Sequence, residues 1–179
     1  PVQVVMFAWG NPSRGDDAVG PWFAQRFRHR VGSSFQLVED FQLQVEHLLD
    51  CREGELLLFV DACCNGVTSH SFGELTPCPE LGHTSHALTP AELLGQYSKL
   101  FAAPAPASFL LQVPGRQFEL GEPMSAATRT CCETAAKLVE RLLDAPQRDM
   151  WRTLCTPAER PARRKISARS APVQPSAAP

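Results

Sequence analysis

The run Leu56-Leu57-Leu58-Phe59-Val60-Asp61 does most to limit what this chain can fold into. An unbroken apolar stretch with no polar alternation fits a central parallel strand covered on both faces. Neighbouring parallel strands need long crossovers, usually helical, so helical patterns must lie between the other strands. They do. Residues 2–8 read as a buried strand, and after a turn the apolar positions Val19, Trp22, Phe23, Phe27 and Val31 give an amphipathic helix. Residues 35–40 read as a second strand, and residues 43–49 carry the i, i+3, i+4 pattern of a short helix. After the 56–61 strand the chain turns at Cys63-Cys64-Asn65-Gly66, and residues 70–75 read as an antiparallel edge strand.

Thr89 is placed as an N-cap, with Pro90 at the first helical position and Glu92 completing a capping box. Residues 108–113 supply another buried strand, ended by Pro114-Gly115. Ser125 opens the last long helix, which should stop near Asp144 because Pro146 follows. Strands alternating with helices predict an α/β fold. The expected architecture is a three-layer sandwich: a mostly parallel twisted sheet of about five strands, flanked by helices, with one antiparallel edge.

The polar chemistry gathers at the first strand-to-helix turn, Trp9-Gly10-Asn11-Pro12-Ser13-Arg14-Gly15-Asp16-Asp17-Ala18-Val19-Gly20. It falls at the carboxyl edge of the sheet, where open α/β folds bind ligands. Such turns often hold phosphate, but two consecutive carboxylates would repel one. No Gly-Lys-Ser/Thr is present, and Gly10, Gly15 and Gly20 lack the dinucleotide spacing. Read alone, Asp16 and Asp17 either cap the following helix or offer carboxylates to a cation. Asp61, ending its strand at the same edge, is likewise a helix cap or a site residue. His83 and His86 lie in a loop just before the Thr89 helix, able to fold over the cleft.

The chain lacks a Gly-x-Ser-x-Gly elbow and a His-Glu-x-x-His pair. Its seven cysteines include two adjacent pairs, Cys63-Cys64 and Cys131-Cys132, with no zinc-ligand spacing. They read as small buried side chains. Residues 1–145 carry ten Lys/Arg against seventeen Asp/Glu, whereas residues 146–179 carry seven against two. That basic, Pro- and Ala-rich end is expected to be a disordered tail, with the domain at 1–146 and the tail at 147–179. No apolar run is long enough to cross a bilayer, and no signal peptide is recognisable at the start. A cytoplasmic protein is the expectation, with neither a membrane nor a nucleic acid as partner.

The motif Gly10-Asn11-…-Asp16-Asp17-…-Gly20 resembles the N-terminal signature of the hydrogenase maturation endopeptidases. The resemblance continues at Phe59-Val60-Asp61-Ala62 and at Ser85-His86-Ala87-Leu88-…-Leu93-Leu94, covering about residues 2–145 in the family's order. It implies a hydrolase that trims the C-terminal extension of a nickel–iron hydrogenase large subunit after nickel insertion. It implies that Asp17, Asp61 and His86 are the catalytic and metal-meeting residues. The nickel would be carried by the substrate rather than held tightly by the enzyme. Two carboxylates and an imidazole suit a divalent first-row metal with open positions. The expected partner is the large-subunit precursor, and the protein is expected to be a monomer.

Two departures from the family pattern stand out. Many members carry Glu where this chain has Asp17, which shortens its reach by about 1.5 Å. The family's Asp-Gly-Gly-Thr is replaced here by Glu39-Asp40-Phe41-Gln42, leaving Glu39 and Asp40 as candidates for substrate contact. Residues 11–15 and 41–44 look closest to the branch serving NAD-reducing soluble hydrogenases. The competing readings are another metal-assisted hydrolase and a non-enzymatic nickel- or nucleotide-binding α/β module.

Overall fold

The computed structural model describes residues 3–81 and 87–157. In chain order these form β1 (Val4–Trp9), α1 (Val19–Phe27), β2 (Phe35–Asp40), β3 (Leu56–Cys63), β4 (Ser71–Glu74), α2 (Pro90–Phe101), β5 (Ala107–Pro114), α3 (Ala126–Asp144) and α4 (Arg148–Thr153). Short 3₁₀ segments at Gly15–Ala18 and Val45–Asp50 precede α1 and follow β2.

The strands form one sheet in the order β2-β1-β3-β5-β4. β1 pairs in parallel with β2 and β3, β3 pairs in parallel with β5, and β4 runs antiparallel at the edge. The expected five-stranded, mostly parallel sheet with an antiparallel edge is therefore present. The apolar run 56–61 sits mid-sheet on β3, and Leu57, Leu58, Phe59 and Val60 are wholly buried.

Strand alternation divides the core into two layers. Met6, Leu58, Val60, Phe109 and Leu111 pack with Phe23 and Phe27 of α1 and Val139 and Leu142 of α3. Val5, Phe7, Leu57 and Phe59 face Leu93, Leu94 and Tyr97 of α2, together with Leu43 and Leu48. α2 starts as its sequence demands: the Thr89 N–H donates to Glu92 (2.8 Å), and the Glu92 N–H donates to the Thr89 hydroxyl (3.2 Å). The helix expected over 43–49 is instead the tighter 3₁₀ turn Val45–Asp50.

The domain boundary expected at residue 146 has to be moved. Residues 147–157 are part of the fold, not of a tail. Trp151 of α4 is fully buried against Phe109 and Phe72, with ring centroids 5.2 and 6.2 Å away. Its indole N–H donates to the Leu142 carbonyl (3.0 Å). Beyond the helix, Thr156 pairs with the outer side of β4. The Phe72 N–H donates to the Thr156 hydroxyl (3.0 Å), and the Thr156 N–H donates to the Phe72 carbonyl (2.8 Å). Arg148 and Arg152 both grip Glu74 of the same strand.

An edge strand exposes unpaired backbone groups, and this segment satisfies part of that need. Its Arg- and Pro-rich context hid the signal in the sequence. The remainder of the expected tail, including the basic run at 160–165, lies outside the described residues. No helix among the described residues is long and apolar enough to cross a membrane.

Candidate active site

The strand order reverses direction between β1 and β3: β1 leads out to β2 on one side, and the chain returns to β3 on the other. Loops leaving two such strands part in opposite directions and leave a crevice at their carboxyl ends. Asp17 follows β1, and Asp61 stands near the carboxyl end of β3, which runs on through Ala62 to Cys63, so both carboxylates belong to this crevice.

The turn that carries Asp17 is shaped by two glycines. Gly10 has φ +142°, and a side chain there would collide with the Asp17 carbonyl oxygen. A Cβ on Gly20 would collide with the backbone of Trp9, so only glycine lets α1 start so close beneath β1. In that compact turn the Asn11 N–H donates to Asp17 Oδ2 at 2.6 Å. This bond leaves the other Asp17 oxygen without a hydrogen bond inside the described structure and fixes how the carboxylate is presented.

Asp16 faces the other way and neither caps its own helix nor joins the crevice. No side-chain cap is made at the start of either Gly15–Ala18 or α1. Instead Asp16 is completely buried and accepts from the backbone N–H groups of Arg116 (2.7 Å), Gln117 (3.2 Å) and Ser125 (2.7 Å). The Ser125 hydroxyl adds a fourth bond at 3.0 Å. Burial works to raise the Asp16 pKa, but these bonds outweigh it and hold the group below its usual value. Adjacent residues on a tight turn point apart, so one carboxylate anchors the β5–α3 loop while the next serves the crevice.

Asp61 has a different environment. Burial pushes its pKa up to about 7, against an opposing hydrogen bond from the Ala62 N–H, and the charge of Asp17 pushes the same way. Two carboxylates that repel each other across a partly dry crevice favour either a shared proton or a cation.

Beside Gly10, Glu39 and Asp40 end β2 and line a cleft of about 380 Å³ with Pro12, Pro21 and Phe41. Both candidate contact residues thus flank the crevice. Neither is idle: Glu39 pairs with Arg28, and Asp40 Oδ2 lies 3.2 Å from His47 Nε2. The Gln44 N–H donates to His47 Nδ1 (2.9 Å), so Nδ1 is the unprotonated nitrogen and the proton sits on Nε2, the nitrogen facing Asp40. In the sequence His47 stands out only as a position in a short helical pattern. Its turn with Gln44 gave no stronger signal in the sequence.

The site residues expected from the sequence are therefore partly in view. Asp17 and Asp61 share one crevice; His86 and the neighbouring His83 lie outside the described residues. Among the described residues no group of three or more His, Cys, Asp or Glu side chains could hold a metal ion. The described cysteines are free thiols. Burial pushes Cys51 and Cys132 up to about 12, with nearby carboxylates adding to the shift, so both stay protonated and inert at neutral pH.

No family model matches the sequence, and no curated protein matches it either. Solved structures do match. The hydrogenase maturating endopeptidase HybD from E. coli superposes with a TM-score of 0.67 at 16% identity, over 80% of this chain and 94% of that one. The NiFe hydrogenase maturation protease HycI from Thermococcus kodakarensis KOD1 gives 0.61 at 20% identity, over 80% and 93%. The hydrogenase 2 maturation peptidase from Thaumarchaeota archaeon SCGC_AB-539-E09 gives 0.55 at 17%, over 79% and 98%. At such identities the likeness speaks for architecture: this chain has the α/β fold of the hydrogenase maturation proteases.

Proposed function

We propose that the protein is an endopeptidase that removes the C-terminal extension from the large-subunit precursor of a nickel–iron hydrogenase, once nickel has been inserted. The observation that carries this reading is the meeting of Asp17 and Asp61 at the switch point between β1 and β3. The shared fold with maturation proteases and the sequence resemblance around Gly10–Gly20 support the same reading.

The chemistry follows from the two carboxylates. Asp61 holds its proton to about pH 7 because its charge is poorly solvated and Asp17 is near. A cation arriving with the precursor relieves that repulsion and displaces the proton, so recognition of the metal-loaded precursor is coupled to proton release. Asp17, oriented by the Asn11 N–H, supplies the second carboxylate ligand, and His86 adds an imidazole nitrogen. The scissile carbonyl is polarised while water attacks its carbon. The resulting tetrahedral adduct expels the amine, which takes up a proton, and the peptide bond is broken.

The test is to incubate the purified protein with unprocessed large subunit, with and without nickel, and to weigh the products. Cleavage should require nickel, and Asp17→Ala or His86→Ala should abolish it while leaving the fold intact. Full-rate cleavage of nickel-free precursor, or by either variant, would rule this mechanism out.

A further inference from the structure

Two of the most exposed large apolar side chains in the described structure, Phe41 (65% exposed) and Leu120 (72%), stand on either flank of the turn that presents Asp17. Their loops are tied to that turn by backbone hydrogen bonds. The Gly10 N–H donates to the Asp40 carbonyl (3.1 Å), next to Phe41. The Gly121 N–H donates to the Ser13 carbonyl (2.7 Å), next to Leu120. The Asp16 carboxylate further anchors the loop that carries Leu120, through Arg116, Gln117 and Ser125.

These side chains are therefore held out in water by loops fixed to the crevice. Phe41 also forms one wall of the 380 Å³ cleft beside Gly10. Further along the same segment, on the 3₁₀ turn, Val45 (50%) and Leu49 (73%) are also exposed, while Leu48 and His47 are buried. Apolar side chains scattered singly over a surface need no explanation, but a bracket around a crevice marks an interaction site.

We propose that this bracket is the docking surface for the folded body of the precursor protein, distinct from the crevice that receives its C-terminal extension. The inference rests on the endopeptidase reading above. Charge sets the chemistry of the partner. Residues 39–50 hold Glu39, Asp40, Glu46 and Asp50 and no Lys or Arg, and among the described residues Glu39 alone of these is matched by a guanidinium, that of Arg28. The matching face on the precursor is an apolar patch rimmed by Lys and Arg. Exposed aromatic anchors carry a large share of interface energy, and the surrounding acids steer the encounter.

The experiment uses Phe41→Ser, Leu120→Ser and the double variant, with nickel-loaded precursor as substrate. Thermal midpoints should stay at the wild-type value, because neither side chain is buried. KM should rise about tenfold for each single change and further for the double, with kcat retained within about twofold. KM of the wild type should also rise with salt, because the acidic rim is screened. Unchanged KM in both single variants would overturn the docking surface while leaving the peptidase reading intact. Failure of the wild-type protein to cleave any precursor would instead overturn that reading, and the docking surface with it. A wild-type dimer that the double variant converts to monomer would assign the surface to a second copy of the chain and overturn the proposal.

Discussion

The Asp16 carboxylate accepts hydrogen bonds from both the backbone N–H and the hydroxyl of Ser125, a residue 109 positions further along the chain. Ser125 is at the same time the N-cap of α3, its hydroxyl accepting from the Thr128 N–H (3.3 Å). One buried carboxylate thus joins the start of α3 to the turn that carries Asp17, and the acid next to the site is a structural pin.

Replacing Asp16 by Ala strands three partly buried backbone N–H groups as well as the Ser125 hydroxyl. Each orphaned donor costs about 1–3 kcal/mol, so the variant should lose roughly 3 kcal/mol or more. That exceeds the loss of roughly 1 kcal/mol expected had Asp16 been a simple helix cap. In a domain of this size the thermal midpoint should fall by roughly 6–12 °C. A fall of only a degree or two would show that solvent or rearrangement replaces these bonds.

Stability should depend on pH through Asp61. Its folded-state pKa is raised from 3.8 to about 7, chiefly by burial. The folded protein therefore keeps a proton that the unfolded chain releases near pH 4. The associated stability is fully present below that value and is lost as pH rises through 7. Asp61→Asn removes this dependence and should be more stable than wild type at pH 8, on the order of a few kcal/mol. Melting curves of both proteins from pH 5 to 9 check it, and parallel pH profiles would contradict it.

Truncation distinguishes the folded end from the rest. A chain ending at 157 should melt within a few degrees of the full-length protein. One ending at 146 loses Trp151 from the core and Thr156 from the edge of β4. Trp151→Ala alone should cost about 3–5 kcal/mol, the usual range for emptying a buried aromatic site. Equal melting of the 146 and 157 truncations would show α4 to be dispensable.

Gly20→Ala should be far more damaging than its size suggests. The added methyl meets the Trp9 backbone, which β1 holds in place. Relief requires α1 to move away from the sheet, with a loss in the range of about 1–3 kcal/mol typical of overpacking. Gly73→Ala is the control: a Cβ there meets nothing within 4 Å, so the two melting temperatures should differ clearly.

Local patterns in the sequence were enough for the strands, the capping box at Thr89 and Glu92, and the antiparallel edge at 71–74. Each rests on residues a few positions apart, and a continuous apolar run such as 56–60 is stable only with cover on both faces. The carboxylates Asp17 and Asp61 could also be placed at one edge, because strand ends in a parallel sheet share a side. Their local text could not say that Asp16 and Asp17 part company. That choice depends on the loop 115–125, whose N–H groups reach Asp16 only when β5 lies beyond β3. The same holds for Trp151 and Thr156: in the sequence they sit in an Arg- and Pro-rich end. Only the folded sheet supplies the stacked Phe72–Phe109 pair against which Trp151 packs, and the unpaired edge of β4, that give them partners. Periodicity is written locally; hydrogen-bond and packing partners distant in the chain are decided by topology.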